Sequence, residues 1–245
     1  MPVRGLLRIL LIGIVCHTAL ITQAWASDTQ RPVLKGAYIE FPPLTYTNDE
    51  GEPAGPYIRE SSRLAREAGY EVEWRSLPID RIYLYLREGK IDLWIGSQGV
   101  PAIADSTLEP DFTFPPIRLN AYHLAEREPV SGLMDLKGRH LILIRGYTYR
   151  NYLNPATGAD EARVDTASNH SAALRMLSAG RGDYLLDFEA PVSNALETTP
   201  VNDIKHSLIT TWETTLVFSS RTEHAETLVR DFEEAYASTE TSLRR

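Results

Sequence analysis

Aromatic, acidic and hydroxyl side chains stand at the ends of predicted strands, where the loops of α/β proteins usually bind ligands. The first such group is Tyr38, Glu40, Phe41 and Tyr46, which end or follow an apolar run that begins at Val33. A ring such as that of Phe41 could form a flat wall against a ligand at little entropy cost. The same ring could instead pack on the two prolines that follow it, and the sequence leaves both interpretations open.

Two further loops carry groups that could bind a polar ligand. The Gly-Ser-Gln-Gly run at 96–99 follows a buried strand, so Ser97 and Gln98 could donate or accept hydrogen bonds there, although a plain turn fits as well. Arg145, Tyr147 and Thr148 lie between a strand and a helix that is predicted to start near Tyr147. Free N–H groups at a helix start attract anions, but Thr148 could simply cap the helix and Arg145 could simply be solvated.

Asp187 and Glu189 follow a third apolar run, at 184–186. Acids at this place commonly cap the first turn of a helix and complement its dipole. They could also face a ligand, and the sequence does not say which of the two would point inward.

Catalytic and metal-binding motifs are absent from the sequence. It has no Gly-x-Ser-x-Gly elbow, no His-Glu-x-x-His pair and no phosphate loop of the Gly-x-x-x-x-Gly-Lys type. The histidines show no metal-ligand spacing, and Cys16 is the single cysteine, which excludes a cysteine zinc cluster and an internal disulfide. We therefore expect no catalytic residue, no metal and no cofactor.

Strand-like and helical patterns alternate along the chain, which predicts an α/β fold around a largely parallel sheet. Two helix-to-strand junctions match closely. In residues 86–93 and again in residues 177–184, a helix ends at glycine, a basic residue follows, and an aspartate opens the next strand. The repetition predicts two lobes of one architecture.

Four motifs in order carry a resemblance to the family 3 periplasmic solute-binding proteins. They are the Tyr-Ile-Glu-Phe-Pro-Pro-Leu-Thr-Tyr run at 38–46, Gly-Lys-Ile-Asp-Leu at 89–93, Leu-Lys-Gly-Arg at 136–139 with Gly-Tyr-Thr-Tyr at 146–149, and Gly-Arg-Gly-Asp at 180–183. The resemblance covers nearly all of the chain after residue 26. It implies the two-lobe type II periplasmic binding fold, often called a Venus flytrap, with two crossover strands and a ligand cleft between the lobes.

The resemblance also places the parts of that fold. Lobe 1 would comprise residues 32–117 and 216–245, and lobe 2 residues 120–213. The crossovers would lie near 117–121 and 214–219, and a helix over 225–237 would return to lobe 1. Phe41 matches an aromatic wall of the family, and an acid near Asp187 and Glu189 would hold a ligand ammonium.

One departure from the family concerns the arginine that usually clamps the carboxylate of an amino acid. Its position falls near Ala104, and the neighbouring Asp105 has the wrong charge. Arg81, Arg118 or Arg145 could substitute, or the ligand could be something other than a standard α-amino acid. The acids in the loops favour a ligand with an ammonium or another donor-rich end.

The function that the resemblance implies is capture of a small polar, amino-acid-like metabolite for an ABC transporter, without catalysis. Two alternatives remain open. A cyclohexadienyl-dehydratase-like enzyme could use Glu40 or Glu189 as an acid, and a sensing module could present the ligand to a membrane receptor. The expected partners are the small ligand and an ABC permease or membrane sensor, with the chain itself a monomer. A net charge of −8 without a basic stripe argues against nucleic acid.

The first 26 residues have the pattern of a cleaved secretory signal. Arg4 and Arg8 precede an apolar stretch at 9–21, and Ala-Trp-Ala at 24–26 forms a small-x-small cleavage site. The apolar stretch is shorter than the ~20 residues that span a bilayer. We expect a mature, cysteine-free protein that begins at Ser27 in the periplasm.

Overall fold

The computed structural model describes residues 31–149 and 163–243. The predicted signal segment lies outside these residues, and so does most of the helix expected near Tyr147. Residues 31–245 form one compact unit by their contacts, so the division into lobes at the stated boundaries stays a prediction. None of the helices in the described ranges combines the length and the hydropathy needed to span a bilayer.

The centre of the fold is a mixed β-sheet. The strands of the described chain are β1 (Val33–Tyr38), β2 (Tyr46–Thr47), β3 (Pro53–Ala54), β4 (Glu71–Ser76), β5 (Leu93–Ser97), β6 (Thr107–Leu108), β7 (Phe114–Leu124), β8 (His140–Ile144), β9 (Arg163–Ala167), β10 (Tyr184–Phe188) and β11 (Ile204–Ser219). Their order across the main sheet is β4-β1-β5-β11-β7-β10-β8-β9, with β6 beside β11 and a small β2-β3 ribbon apart from it.

The parallel strands fall into two groups separated by an antiparallel pair. Strands β4, β1 and β5 run parallel on one side, and β10, β8 and β9 run parallel on the other. Between them β7 and β11 pair with each other in antiparallel register, and the 16-residue β11 continues from β7 to β5. The crossovers expected at 117–121 and 214–219 lie within these two strands, and the predicted α/β class is confirmed.

Helices cover the sheet. They are α1 (Pro56–Glu67), α2 (Ile79–Glu88), α3 (His170–Ser178), α4 (Glu189–Thr198) and α5 (Ala225–Leu243). Proline stands at the start of α1, where a missing N–H costs nothing, and Gly89 ends α2 in the left-handed conformation with φ 67°. In α5, Leu228 and Phe232 pack into the core with Leu64 of α1, so the end of the chain contacts its first half.

The two repeated junctions have the same hydrogen bonds. Asp92 accepts the Lys35 N–H of β1 at 2.7 Å, and Asp183 accepts the His140 N–H of β8 at 2.9 Å. In each case the aspartate N–H also donates back to the carbonyl of the same residue, at 2.8 Å for Asp92 and 2.7 Å for Asp183. The aspartates therefore fix the register of β5 beside β1 and of β10 beside β8.

Candidate functional site

A cleft opens where the ends of β1 and β5 meet the loop after β8 and the start of α4. The empty space in and at the mouth of the cleft is about 660 Å³, open solvent included. Its described lining consists of Ile39, Phe41, Leu44, Thr45, Tyr57, Ile79, Tyr83, Trp94, Ile95, Gly96, Ser97, Ile117, Tyr147, Thr148, Tyr149, Phe188, Trp212 and Thr214. Aromatic rings dominate this lining, and residues from both groups of parallel strands contribute to it.

Phe41 belongs to the first half of the chain but packs against rings of the second. Its ring centroid lies 5.1 Å from that of Phe188, edge to face, and 6.0 Å from that of Tyr147, stacked. The backbone holds Phe41 in place through its N–H, which donates to the Thr45 carbonyl at 2.7 Å. The ring of Phe41 thus reaches across the cleft to the opposite side and forms part of its lining, and its contact with a ligand stays a prediction.

A hydrogen-bonded chain runs from the cleft into the second half. The Tyr147 hydroxyl donates to the Glu40 carbonyl at 3.1 Å and lies 3.3 Å from Nε2 of His170. Nδ1 of His170 in turn lies 2.7 Å from Oδ2 of Asp187. The contact between Tyr147 and Glu40 joins the two sides of the cleft directly. Burial raises the pKa of the Tyr147 phenol well above its usual value, so this hydroxyl is neutral.

Asp187 is fully buried and its carboxylate is occupied by the protein. Besides His170, it accepts the Phe188 N–H at 2.8 Å. Burial raises the pKa of Asp187, and the hydrogen bond and charge of His170 oppose that effect. The structure therefore gives Asp187 the task of orienting His170, and it is not part of the described lining.

The other two candidate acids are also tied to protein groups. Glu189 forms an ion pair with Arg118 at 3.2 Å, and the side chains of both are about half exposed. Glu40 is exposed and accepts from Thr47 N–H at 3.0 Å, from Thr47 Oγ1 at 2.7 Å and from Ser76 Oγ at 2.5 Å. Neither carboxylate lines the cleft.

The remaining sequence-predicted residues divide into two sets. Ser97, Tyr147 and Thr148 line the cleft together with Phe41. The other five lie outside the described lining. Tyr38 is buried, and its hydroxyl lies 2.8 Å from Thr47 Oγ1. Tyr46 and Gln98 are half-buried, and Arg81 and Arg145 are exposed. The loops around the cleft were thus predicted better than the individual polar side chains.

Most of the aromatic lining was not singled out from the sequence. Tyr57, Tyr83, Trp94, Tyr149 and Trp212 read as ordinary core residues of helices and strands, and all five are indeed buried. The one usable signal was the Trp-x-Gly pattern in β5, because residues two apart on a strand share a face. A Cβ at Gly96 would overlap the ring of Trp94, so glycine is what lets that indole lie flat along the strand.

Three comparisons relate the chain to known proteins. Residues 34–101 match the family model of the bacterial extracellular solute-binding proteins, family 3. No curated protein sequence shows a significant match. Many solved structures share the fold.

Three of these structures illustrate the likeness. A histidine kinase sensor domain with similarity to periplasmic binding proteins has a TM-score of 0.74 at 20% identity, covering 89% of this chain and 93% of that one. An ancestral arginine-binding protein bound to arginine has a TM-score of 0.67 at 19% identity, with 86% and 94% covered. The substrate-binding protein of an amino acid ABC transporter has a TM-score of 0.66 at 17% identity, also with 86% and 94% covered. The predicted type II periplasmic binding fold is confirmed.

Proposed function

The resemblance to the family 3 solute-binding proteins is confirmed by the match over 34–101 and by the fold, and from this premise we propose that the chain captures a small organic solute in its cleft. The observation that carries the proposal is the cleft itself. Its walls come from both groups of parallel strands, and the contact from Tyr147 to Glu40 closes one side onto the other. A ligand held there would be enclosed on both sides, as capture requires.

The cleft is suited to binding rather than to acid catalysis. A dehydratase-like reaction would need a carboxylic acid directed at the substrate in apolar surroundings. Glu40 accepts three hydrogen bonds from Thr47 and Ser76, and Glu189 faces Arg118 near solvent. We propose that neither acts as a proton donor and that the protein has no turnover.

The resemblance to the family supports a proposal for location and partner. We propose that the protein works in the periplasm, as a monomer, and hands its solute to an ABC permease. A sensory role is the second candidate, because a histidine kinase sensor domain covers 89% of this chain with a TM-score of 0.74. Deleting the gene distinguishes the two: a transport role predicts loss of solute uptake, and a sensory role predicts normal uptake with loss of the transcriptional response.

A thermal-shift screen of the purified protein tests the capture function. A solute that binds only the folded state raises the unfolding midpoint. Once its concentration exceeds Kd, the stabilisation grows with the logarithm of the ratio of concentration to Kd. The screen should include arginine, glutamine, polyamines, organic acids and neutral aromatic compounds. At least one small solute is expected to raise the midpoint by several degrees. A flat response to every class would contradict the proposed function.

A further inference from the structure

The lining of the cleft carries no charged side chain among the described residues. It consists of eight aromatic rings, five aliphatic side chains, one glycine and four small hydroxyl residues. Burial also holds the pKa of the Tyr147 and Tyr149 phenols well above their usual value, so these rings stay neutral. An amino acid zwitterion buried here would bring two charges, and none of the lining side chains in the described ranges 31–149 and 163–243 carries an opposite charge to meet them. Burying an unpaired charge is costly, so such a ligand is a poor match for this lining.

The hydroxyl groups of the lining are largely used by the protein itself. Five of these hydroxyls donate a hydrogen bond to a backbone carbonyl oxygen. Thr45 donates to the carbonyl of Ile39, and Tyr57 and Thr214 both donate to that of Pro115. Tyr147 donates to the carbonyl of Glu40, and Tyr149 to that of Leu186. A hydroxyl has only one proton, so these groups have nothing left to donate. They therefore offer little to an anion, which needs several donors.

Among the described residues of the lining, the indole N–H of Trp94 is a buried donor without a hydrogen-bond partner. Trp94 is 3% exposed, so water does not compensate for the missing bond. Its ring is held in place between the edge of Tyr83, at a centroid distance of 5.6 Å, and the bare backbone of Gly96. A buried donor without an acceptor destabilises the folded protein, and a ligand acceptor recovers that cost once the ring shifts enough to expose the N–H to the cleft.

Resting on the proposed function, we infer that the ligand is a planar, uncharged aromatic or heteroaromatic molecule with an acceptor oxygen or nitrogen that pairs with the Trp94 N–H. Its ring would lie among Phe41, Tyr147 and Trp212, which come from the loop after β1, the loop after β8 and strand β11. The aromatic side chains can stack on such a ring in an offset or an edge-to-face geometry, and neither contact requires paired charges. This inference departs from the amino-acid-like ligand expected from the sequence.

An isosteric charge series tests the inference. Benzamide, benzoate and benzamidine share one ring and nearly one shape, but they are neutral, anionic and cationic at pH 7. Calorimetric titration of the full protein should give benzamide at least tenfold tighter binding than either charged compound. Tighter binding of benzoate or benzamidine, or of arginine, would overturn the inference while leaving capture of a solute intact. Absence of binding by every one of these compounds and by the rest of the screen would contradict both.

A pair of tryptophan variants locates the acceptor. Trp94→Phe keeps an aromatic ring but removes the N–H, and it should weaken benzamide binding about fivefold, as expected for one neutral hydrogen bond. The control is Trp74→Phe, because the Trp74 N–H donates to Ser62 Oγ at 2.8 Å and the residue is not in the lining. This control should leave the affinity unchanged. Equal affinity of wild type and Trp94→Phe, with both variants folded by circular dichroism, would refute the role of Trp94.

Discussion

Strands β5 and β10 begin at equivalent aspartate junctions but carry different residues near their carboxyl ends. Counting from the aspartate that opens each strand, Gly96 of β5 occupies the place that Asp187 occupies in β10. The opening aspartates make matching hydrogen bonds to β1 and β8. At the far ends, glycine makes room for the Trp94 ring, whereas Asp187 is buried against His170. The comparison shows that the two halves share a framework, while the chemistry of the cleft depends on where they differ.

The largest expected effect comes from replacing Gly96, the glycine near the end of β5. In Gly96→Ala the new Cβ would overlap the Trp94 ring, and overpacking of this kind typically costs about 1–3 kcal/mol. We expect a loss near the upper end of that range in urea unfolding, with ligand affinity also reduced. The matched control is Gly132→Ala, where the added methyl meets open space and φ is 175°. Equal stability of the two variants would show that the indole is free to move.

The shared framework is tested by Asp92→Ala and Asp183→Ala. Each change removes the acceptor of a backbone N–H and one further partner, Thr222 Oγ1 at 2.9 Å or Arg127 at 2.6 Å. Both should lower the free energy of unfolding by about 2 kcal/mol, within error of each other. A large difference between them in chemical denaturation would contradict the equivalence of the junctions.

A smaller effect is expected from Tyr147→Phe, which removes the hydroxyl between the two sides of the cleft. One neutral hydrogen bond contributes about 1 kcal/mol, so ligand affinity measured by calorimetry should fall about fivefold. Tyr85→Phe is the control, since Tyr85 lies on α2 outside the lining and its ring faces Lys90. If the two variants bound ligand equally well, the Tyr147 contact would have no part in closing the cleft.

The smallest expected effect is a pH dependence specific to Asp187. Because burial raises its pKa in the folded state, the carboxyl favours folding most at low pH, and this contribution is lost as pH rises through the folded pKa. The stability of wild type minus that of Asp187→Asn should therefore fall as the pH rises above about 4, the usual pKa of an aspartate. A difference that grew with pH would show that the charge of His170 dominates the pair.

The amino-acid sequence predicts those features of the fold that depend on neighbours along the chain. The glycine-ended helices, the aspartate junctions and the loops after the strands all follow from local patterns, and Phe41, Ser97, Tyr147 and Thr148 indeed line the cleft. The sequence does not predict the contact of Asp187 with His170, because His170 lies on a different element, 17 positions away along the chain. Trp94 has apolar neighbours in β5 that make it look like a core residue, and its place in the lining depends on the tertiary fold.

Calorimetric titration of Phe41→Leu with the strongest ligand from the thermal-shift screen tests the central claim, that this cleft is where the solute is captured. Phe112→Leu is the matched control, because Phe112 is as buried as Phe41 but stacks on Tyr236 away from the lining, at a centroid distance of 4.5 Å. We predict at least tenfold weaker binding for Phe41→Leu and unchanged binding for Phe112→Leu. Unchanged affinity in Phe41→Leu would place the ligand elsewhere and contradict the account.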